Sequence, residues 1–141
     1  MKKVGLVLSS TLVLACVALV PAAVGASAGP AVKVSIKTLT KTLLPPTTEH
    51  GEKGSVRKGG APRGKCPGNS AAGALDAATH GRWTAKWYSK FNDVFISSVL
   101  GVKPPNSKDF WEVLVNGKPA STGACEIKLR PGERLEFKIA K

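Results

Sequence analysis

Histidine is scarce in this chain, with only His50 and His80 among 141 residues. An enzyme needs a nucleophile with its base, a carboxylate pair or a metal site, and these two histidines support none of them. They lack metal-ligand spacing. Asp76 and His80 stand four apart and share a face of an expected helix, yet no third group completes a triad. The plainer role for His80 is to end that helix, where a positive group is favourable. Acidic residues are also few: nine Asp and Glu face 21 Lys and Arg, for a formal net charge of +12. No catalytic residue, no metal ligand and no cofactor is therefore expected.

Long apolar runs are absent except at the start. Lys2 and Lys3 precede an uncharged apolar stretch from Val4 to Val20, and Ala26-Ser27-Ala28 is a small-residue cleavage site. Residues 1–28 thus read as a signal peptide and 29–141 as a single domain of ordinary size, with no membrane span after signal removal. A competing pattern is Val13-Leu14-Ala15-Cys16, which resembles a lipobox and would anchor the chain through a lipid on Cys16. The residues after Cys16 stay apolar where a tether is usually polar, which favours a secreted protein.

Cysteine is limited to three residues. If Cys16 leaves with the signal peptide, Cys66 and Cys125 remain in an oxidising compartment, where they are expected to pair. A bridge closing so long a loop contributes roughly 4 kcal/mol by loop entropy. It also withdraws both thiols from metal binding and catalysis.

The alternation of Val32, Val34 and Ile36 with Lys33, Ser35 and Lys37 predicts a half-buried strand with a basic outer face, ended by Leu43-Leu44-Pro45-Pro46. Residues 49–65 are rich in Gly and in Lys and Arg and predict a flexible basic loop, with a short strand near 54–58. Ser70 is placed to cap a short Ala-rich helix over 70–80, closed by Gly81. Further strands are expected at Trp83 to Tyr88, Val94 to Leu100 and Phe110 to Val115. The last meets the hairpin dipeptide Asn116-Gly117. Cys125, Ile127 and Leu129 alternate with Glu126 and Lys128, and Leu135, Phe137 and Ile139 alternate with Arg134, Glu136 and Lys138. The fold class is α+β, a largely antiparallel sheet with one short helix packed on it and a disulfide staple.

Losing Lys2 and Lys3 lowers the net charge from +12 to +10. Outside the cell so basic a protein attracts anionic polymers. Lys53, Arg57, Lys58, Arg63 and Lys65 form the natural polyanion contact, unless the loop is simply a solvated one. No sequence-specific nucleic-acid partner is expected: Trp83 and Trp87 share a strand face and read as core. Gly59 to Lys65 fits the opening of a phosphate-binding loop, but Cys66 stands where a hydroxyl should bind magnesium.

Three further runs carry a resemblance. They are Cys66 to Thr79 with Gly81-Arg82-Trp83, then Phe110 to Gly117 with Ala120 to Cys125, and finally Leu129-Arg130-Pro131-Gly132-Glu133-Arg134-Leu135. Together they resemble the transcobalamin-like C-terminal domain family, a bacterial secreted domain of unknown function. Thr38 to Thr47 is similar to the lead-in of its secreted actinobacterial members. The resemblance implies a secreted, non-enzymatic binding module, monomeric, for a corrinoid-like small molecule or a peptide. It carries over Trp111, Asn116 and Gly117 as ligand-face positions. Glu133 stands where the family usually has Asp. The alternative is a cationic protein adhering to anionic envelope polymers.

Overall fold

Lys33, Ser35 and Lys37 face away from the buried side chains of Val32, Val34 and Ile36, and this alternation builds the first strand, β1 (Ala31–Lys37). The computed structural model describes residues 29–60 and 64–141. The signal-peptide and lipobox expectations, Cys16 included, lie outside the described residues, as does Arg63. β1 sits inside a five-stranded sheet of order β2-β1-β9-β7-β8. Its other members are β2 (Thr42–His50), β7 (Phe110–Val115), β8 (Lys118–Pro119) and β9 (Arg134–Ala140). Every pairing is antiparallel except β1 with β9, which is parallel.

Two short hairpins and one helix complete the fold. β3 (Ser55–Arg57) pairs with β4 (Lys65–Pro67), and β5 (Trp83–Tyr88) pairs with β6 (Asp93–Val99). The helix α1 (Ala71–Thr79) buries Ala71, Ala72, Ala74 and Leu75 in one cluster with Val34, Ile36, Leu135 and Phe137. At Gly73 a Cβ would collide with the carbonyl oxygen of Gly68, so only glycine allows this approach. Cys66 and Cys125, 59 residues apart, are disulfide-bonded and fasten the approach to α1 to the chain that follows β8. The α+β class with a disulfide staple is therefore the observed fold. Among the described residues no helix is long and apolar enough to cross a membrane.

Several local expectations are corrected. Pro45 and Pro46 do not end a strand; they lie within β2, an edge strand, where a register shift sits opposite Val34 to Ile36. An edge position and a bulge are the places that tolerate a residue without an N–H. The expected strand through Cys125, Ile127 and Leu129 is instead a run of turns with an isolated bridge from Lys128 to Ser70. The alternation of burial is there, but its backbone serves the helix. Ala71 N–H donates to Ile127 O at 2.9 Å and Ala72 N–H to Ala124 O at 3.0 Å. These carbonyls replace the side-chain cap expected of Ser70, whose hydroxyl donates to Pro67 O at 2.6 Å. Within the 49–65 stretch the expected short strand is present as β3, and the end of β2 and the start of β4 also fall there.

Candidate functional site

The β5–β6 hairpin has two unlike faces. Trp83, Ala85, Val94 and Ile96 pack toward the core with half-buried Trp87 beside them. On the other face, register pairs Tyr88 with Asp93 and Lys86 with Phe95. Tyr88 and Phe95 meet edge to face with ring centroids 6.4 Å apart. They are 40% and 49% exposed, and Phe91 in the connecting turn is 63% exposed. Tyr88, Phe91 and Phe95 thus give a small patch left exposed among the described residues, the kind of apolar exposure that marks a contact surface.

Between this patch and residues 120–126 lies a groove of about 470 Å³, lined by Tyr88, Phe91, Phe95, Asp93, Thr122 and Glu126 among others. That volume falls within the range of small-molecule sites. Asp93, among the lining residues, is only 6% exposed. Its Oδ1 accepts Val94 N–H at 2.7 Å and Cys125 N–H at 3.1 Å. Its Oδ2 is buried with no hydrogen-bond partner among the described residues. A buried acceptor left unpaired costs free energy, and such groups are few in folded proteins. Gly123 lies against this carboxyl so closely that a Cβ would overlap Oδ2. The segment after β8 is therefore glycine where it must pass over Asp93, and the disulfide cysteine next but one is tied to the same carboxyl.

The residues carried over from the family resemblance lie elsewhere. Trp111 is buried in the sheet core, and its Nε1 has no partner among the described residues. Asn116 and Gly117, both with positive φ, make the turn between β7 and β8. Asn116 is exposed, and its Oδ1 accepts Arg134 N–H at 2.9 Å. The turn is about 16 Å from Trp111 along the strand, so the structure does not gather the three into one site.

The basic residues also separate. Arg57 and Lys65 are directly opposed across the β3–β4 hairpin, both exposed, and Lys53 is exposed nearby in sequence. Lys58 is committed internally. Its Nζ donates to Gly81 O at 2.7 Å, lies 3.4 Å from Asp76 Oδ1 and sits 5.2 Å over the Trp83 ring. Glu52 belongs to this neighbourhood: burial, then the charge of Asp76, pushes its carboxyl above the ordinary value of 4.5, with Lys58 opposing. The loop of the phosphate-binding pattern joins two antiparallel strands, with no helix at its end to receive a phosphate. No cluster of three or more His, Cys, Asp or Glu among the described residues is placed to hold a metal ion.

Comparison with known sequences and structures places the fold. Residues 71–141, half the chain, match the family described as a domain of unknown function, DUF4430. The chain belongs to this family. No curated protein matches the sequence. The structure is similar to that of haptocorrin in complex with Cbi, with TM-score 0.56 and 22% identity over 79% of this chain and 25% of haptocorrin. The DUF4430 chain therefore spans a quarter of that relative's length. It is also similar to a protein from Ruminococcus gnavus ATCC 29149 to which metal binding is provisionally ascribed. There the TM-score is 0.53 and the identity 12%, over 79% of this chain and 97% of the other. At these identities the likeness is one of fold.

The aromatic groove went unread in the sequence, although a signal was present. If Trp83 and Trp87 face inward, Tyr88 must face outward, and Phe95, between Val94 and Ile96, must face outward too. Two outward aromatics on neighbouring strands joined by a turn containing Phe91 mark a surface, not a core.

Proposed function

We propose that this protein is an exported, non-enzymatic binding module whose ligand lodges in the groove between the β5–β6 hairpin and residues 120–126. The observation that carries this reading is the groove itself, which three exposed aromatic rings line together with the buried carboxylate residue Asp93. Apolar walls with a few placed polar groups are the usual make-up of a small-molecule site. The likeness in fold to haptocorrin in complex with Cbi supports a binding role, and the Cys66–Cys125 bond agrees with an oxidising compartment outside the cytoplasm. In this reading Trp111 backs the sheet, Asn116 and Gly117 shape a turn, and ligand contact passes to Tyr88, Phe91, Phe95 and Asp93. The test is thermal unfolding with a panel of corrinoids, peptides and small metabolites. A ligand at a hundred times its Kd raises stability by about 2.7 kcal/mol. The expected result is that Phe91→Ser with Phe95→Ser abolishes the gain. A gain that survives both substitutions places the ligand elsewhere.

A second reading, adhesion to an anionic envelope polymer, is favoured by one observation: Arg57 and Lys65 face each other directly across a hairpin. Like charges so placed destabilise a strand pair, and a bound anion would relieve them. Arg57→Ser with Lys65→Ser should elute from a polyphosphate column at clearly lower salt than the parent. Identical elution removes this reading.

A further inference from the structure

The face of the five-stranded sheet that turns away from the core carries cations whose charge the fold balances at one end only. On β1 the side chains of Val32, Val34 and Ile36 point inward, so Lys33, Ser35 and Lys37 point outward. On β9 Leu135, Phe137 and Ile139 point inward, so Arg134, Glu136 and Lys138 point outward. The parallel register sets Lys33 beside Arg134, Ser35 beside Glu136 and Lys37 beside Lys138. Neighbouring strands lie about 4.8 Å apart, and like charges directly opposite one another are unfavourable.

The two cationic rows are treated differently. Lys37 pairs with Glu136 at 2.5 Å and Lys138 with Glu112 at 3.5 Å. Lys33 and Arg134 have no ion pair among the described residues. Lys33 Nζ donates to the neutral hydroxyl of Thr48 at 2.7 Å. The carboxylate of Glu133, next in sequence to Arg134, accepts the N–H of Arg130 instead. The unbalanced row borders a cleft of about 260 Å³ lined by Lys33, Ser35, Lys37, Arg134 and Glu136, with Pro46 at its edge. It shares no residue with the aromatic groove. Its volume is below the ~300 Å³ at which drug-sized sites begin, so it fits one charged group with a short attachment.

With Glu136 engaged by Lys37, the cleft is left with two cationic donors, Lys33 and Arg134, and the hydroxyl of Ser35 on the strand between them and the balanced row. An ammonium, a guanidinium fork and a hydroxyl approach from different directions. The two oxygens of a carboxylate lie in one plane, whereas a tetrahedral oxyanion offers acceptors in several directions and can carry two charges.

We infer that this cleft is a seat for a tetrahedral oxyanion, a phosphate or sulfate group, held by Lys33, Arg134 and Ser35. The seat is independent of the groove and of the Arg57–Lys65 hairpin.

The experiment titrates the protein with inorganic phosphate, glycerol 3-phosphate, sulfate and acetate at one ionic strength kept with sodium chloride, so that screening is equal throughout. Binding is followed by NMR at the Ser35 amide and at the Arg134 side-chain Nε–H. The expected result is saturable shifts with phosphate or sulfate and none with acetate. The order among inorganic phosphate, glycerol 3-phosphate and sulfate tells a free ion from an ester and phosphate from sulfate. Lys33→Gln and Arg134→Gln should each weaken binding about tenfold at the Ser35 amide, the loss of one charge-assisted contact, and Ser35→Ala should weaken it less. Lys138→Gln, in the balanced row, and Arg57→Ser with Lys65→Ser should leave it within about twofold of the parent. Equal saturation by acetate overturns the selection of a tetrahedral group. Absence of saturation with phosphate, its ester and sulfate overturns the seat. So does binding that survives Lys33→Gln combined with Arg134→Gln. An equal loss in Arg57→Ser with Lys65→Ser shows that total charge holds the anion and overturns it too.

Discussion

Asp76 organises the helix end with one oxygen. Its Oδ1 accepts Trp83 Nε1–H at 2.6 Å and faces Lys58 Nζ at 3.4 Å. The sequence pairs Asp76 with His80 by helical spacing. The chain instead reverses at His80 and Gly81, whose φ values are 50° and 74°, and brings Trp83 back against α1. Spacing within a helix is legible in sequence, whereas a side chain returning after a left-handed turn is not. Asp76→Ala strands the indole N–H of a 3% exposed tryptophan, which costs about 1–3 kcal/mol. Thermal unfolding should show a Tm several degrees lower, with Asp76→Asn intermediate. The same neighbourhood gives a pH dependence. The folded carboxyl of Glu52 is raised above 4.5, so its contribution to stability is full below that value and is lost as pH climbs through the folded one. Glu52→Gln should abolish this loss. Its urea midpoint relative to the parent should therefore rise with pH from about 4.5 upward, and a constant difference would show that Glu52 is not responsible.

The helix and the strands differ in how far their sequence announces them. Strand alternation was legible wherever one face is core, as in Val32-Val34-Ile36 and Leu135-Phe137-Ile139, because burial repeats every second residue. The same alternation misleads at Cys125, Ile127 and Leu129, where burial alternates but the carbonyls cap α1 and the ladder is missing. Patterning reports which side chains are inside. It does not report where backbone hydrogen bonds go. For α1 the alanines at 71, 72 and 74 are buried, and at Gly73 the turn leading into the helix comes so close that a Cβ would collide with Gly68. Alanine normally gains about 1 kcal/mol over glycine within a helix. Here Gly73→Ala must push the helix from Gly68, and the expected outcome is a net loss of stability, seen as a lower denaturant midpoint. The surface control is Ala77→Gly on the half-buried side, which should cost only the propensity difference. If Gly73→Ala stabilises the protein, the contact with Gly68 is not limiting.

At the scale of the molecule, the positive charge proves to be distributed, not gathered into one site. Lys37 pairs with Glu136 and Lys138 with Glu112 across the open face of the sheet. Lys58 turns inward, and among the described residues no Lys or Arg lines the groove, although Lys86 and Lys90 stand over two of its rings. Net charge, legible from composition, therefore says little about how the cations are arranged on the surface. The disulfide, by contrast, was legible in both partners, and its position gives it a second task. Cys125 N–H is one of the two donors to Asp93 Oδ1, so the bond that ties β4 to the turns after β8 also bears on the far wall of the groove. Its loop of 59 residues contributes about 4 kcal/mol by chain entropy, out of a typical stability of about 5–15 kcal/mol. Replacing both cysteines with serine should lower the unfolding midpoint accordingly. It should also speed hydrogen exchange at the Cys125 position and at Val94 more than at Val113 in the middle of β7, because the tie that holds residues 120–126 over Asp93 is lost locally before the sheet opens. Groove binding should then weaken even at temperatures where the sheet remains folded. If exchange accelerates equally at all three positions, the bond acts on the whole fold alone, and the groove wall is held by its own contacts.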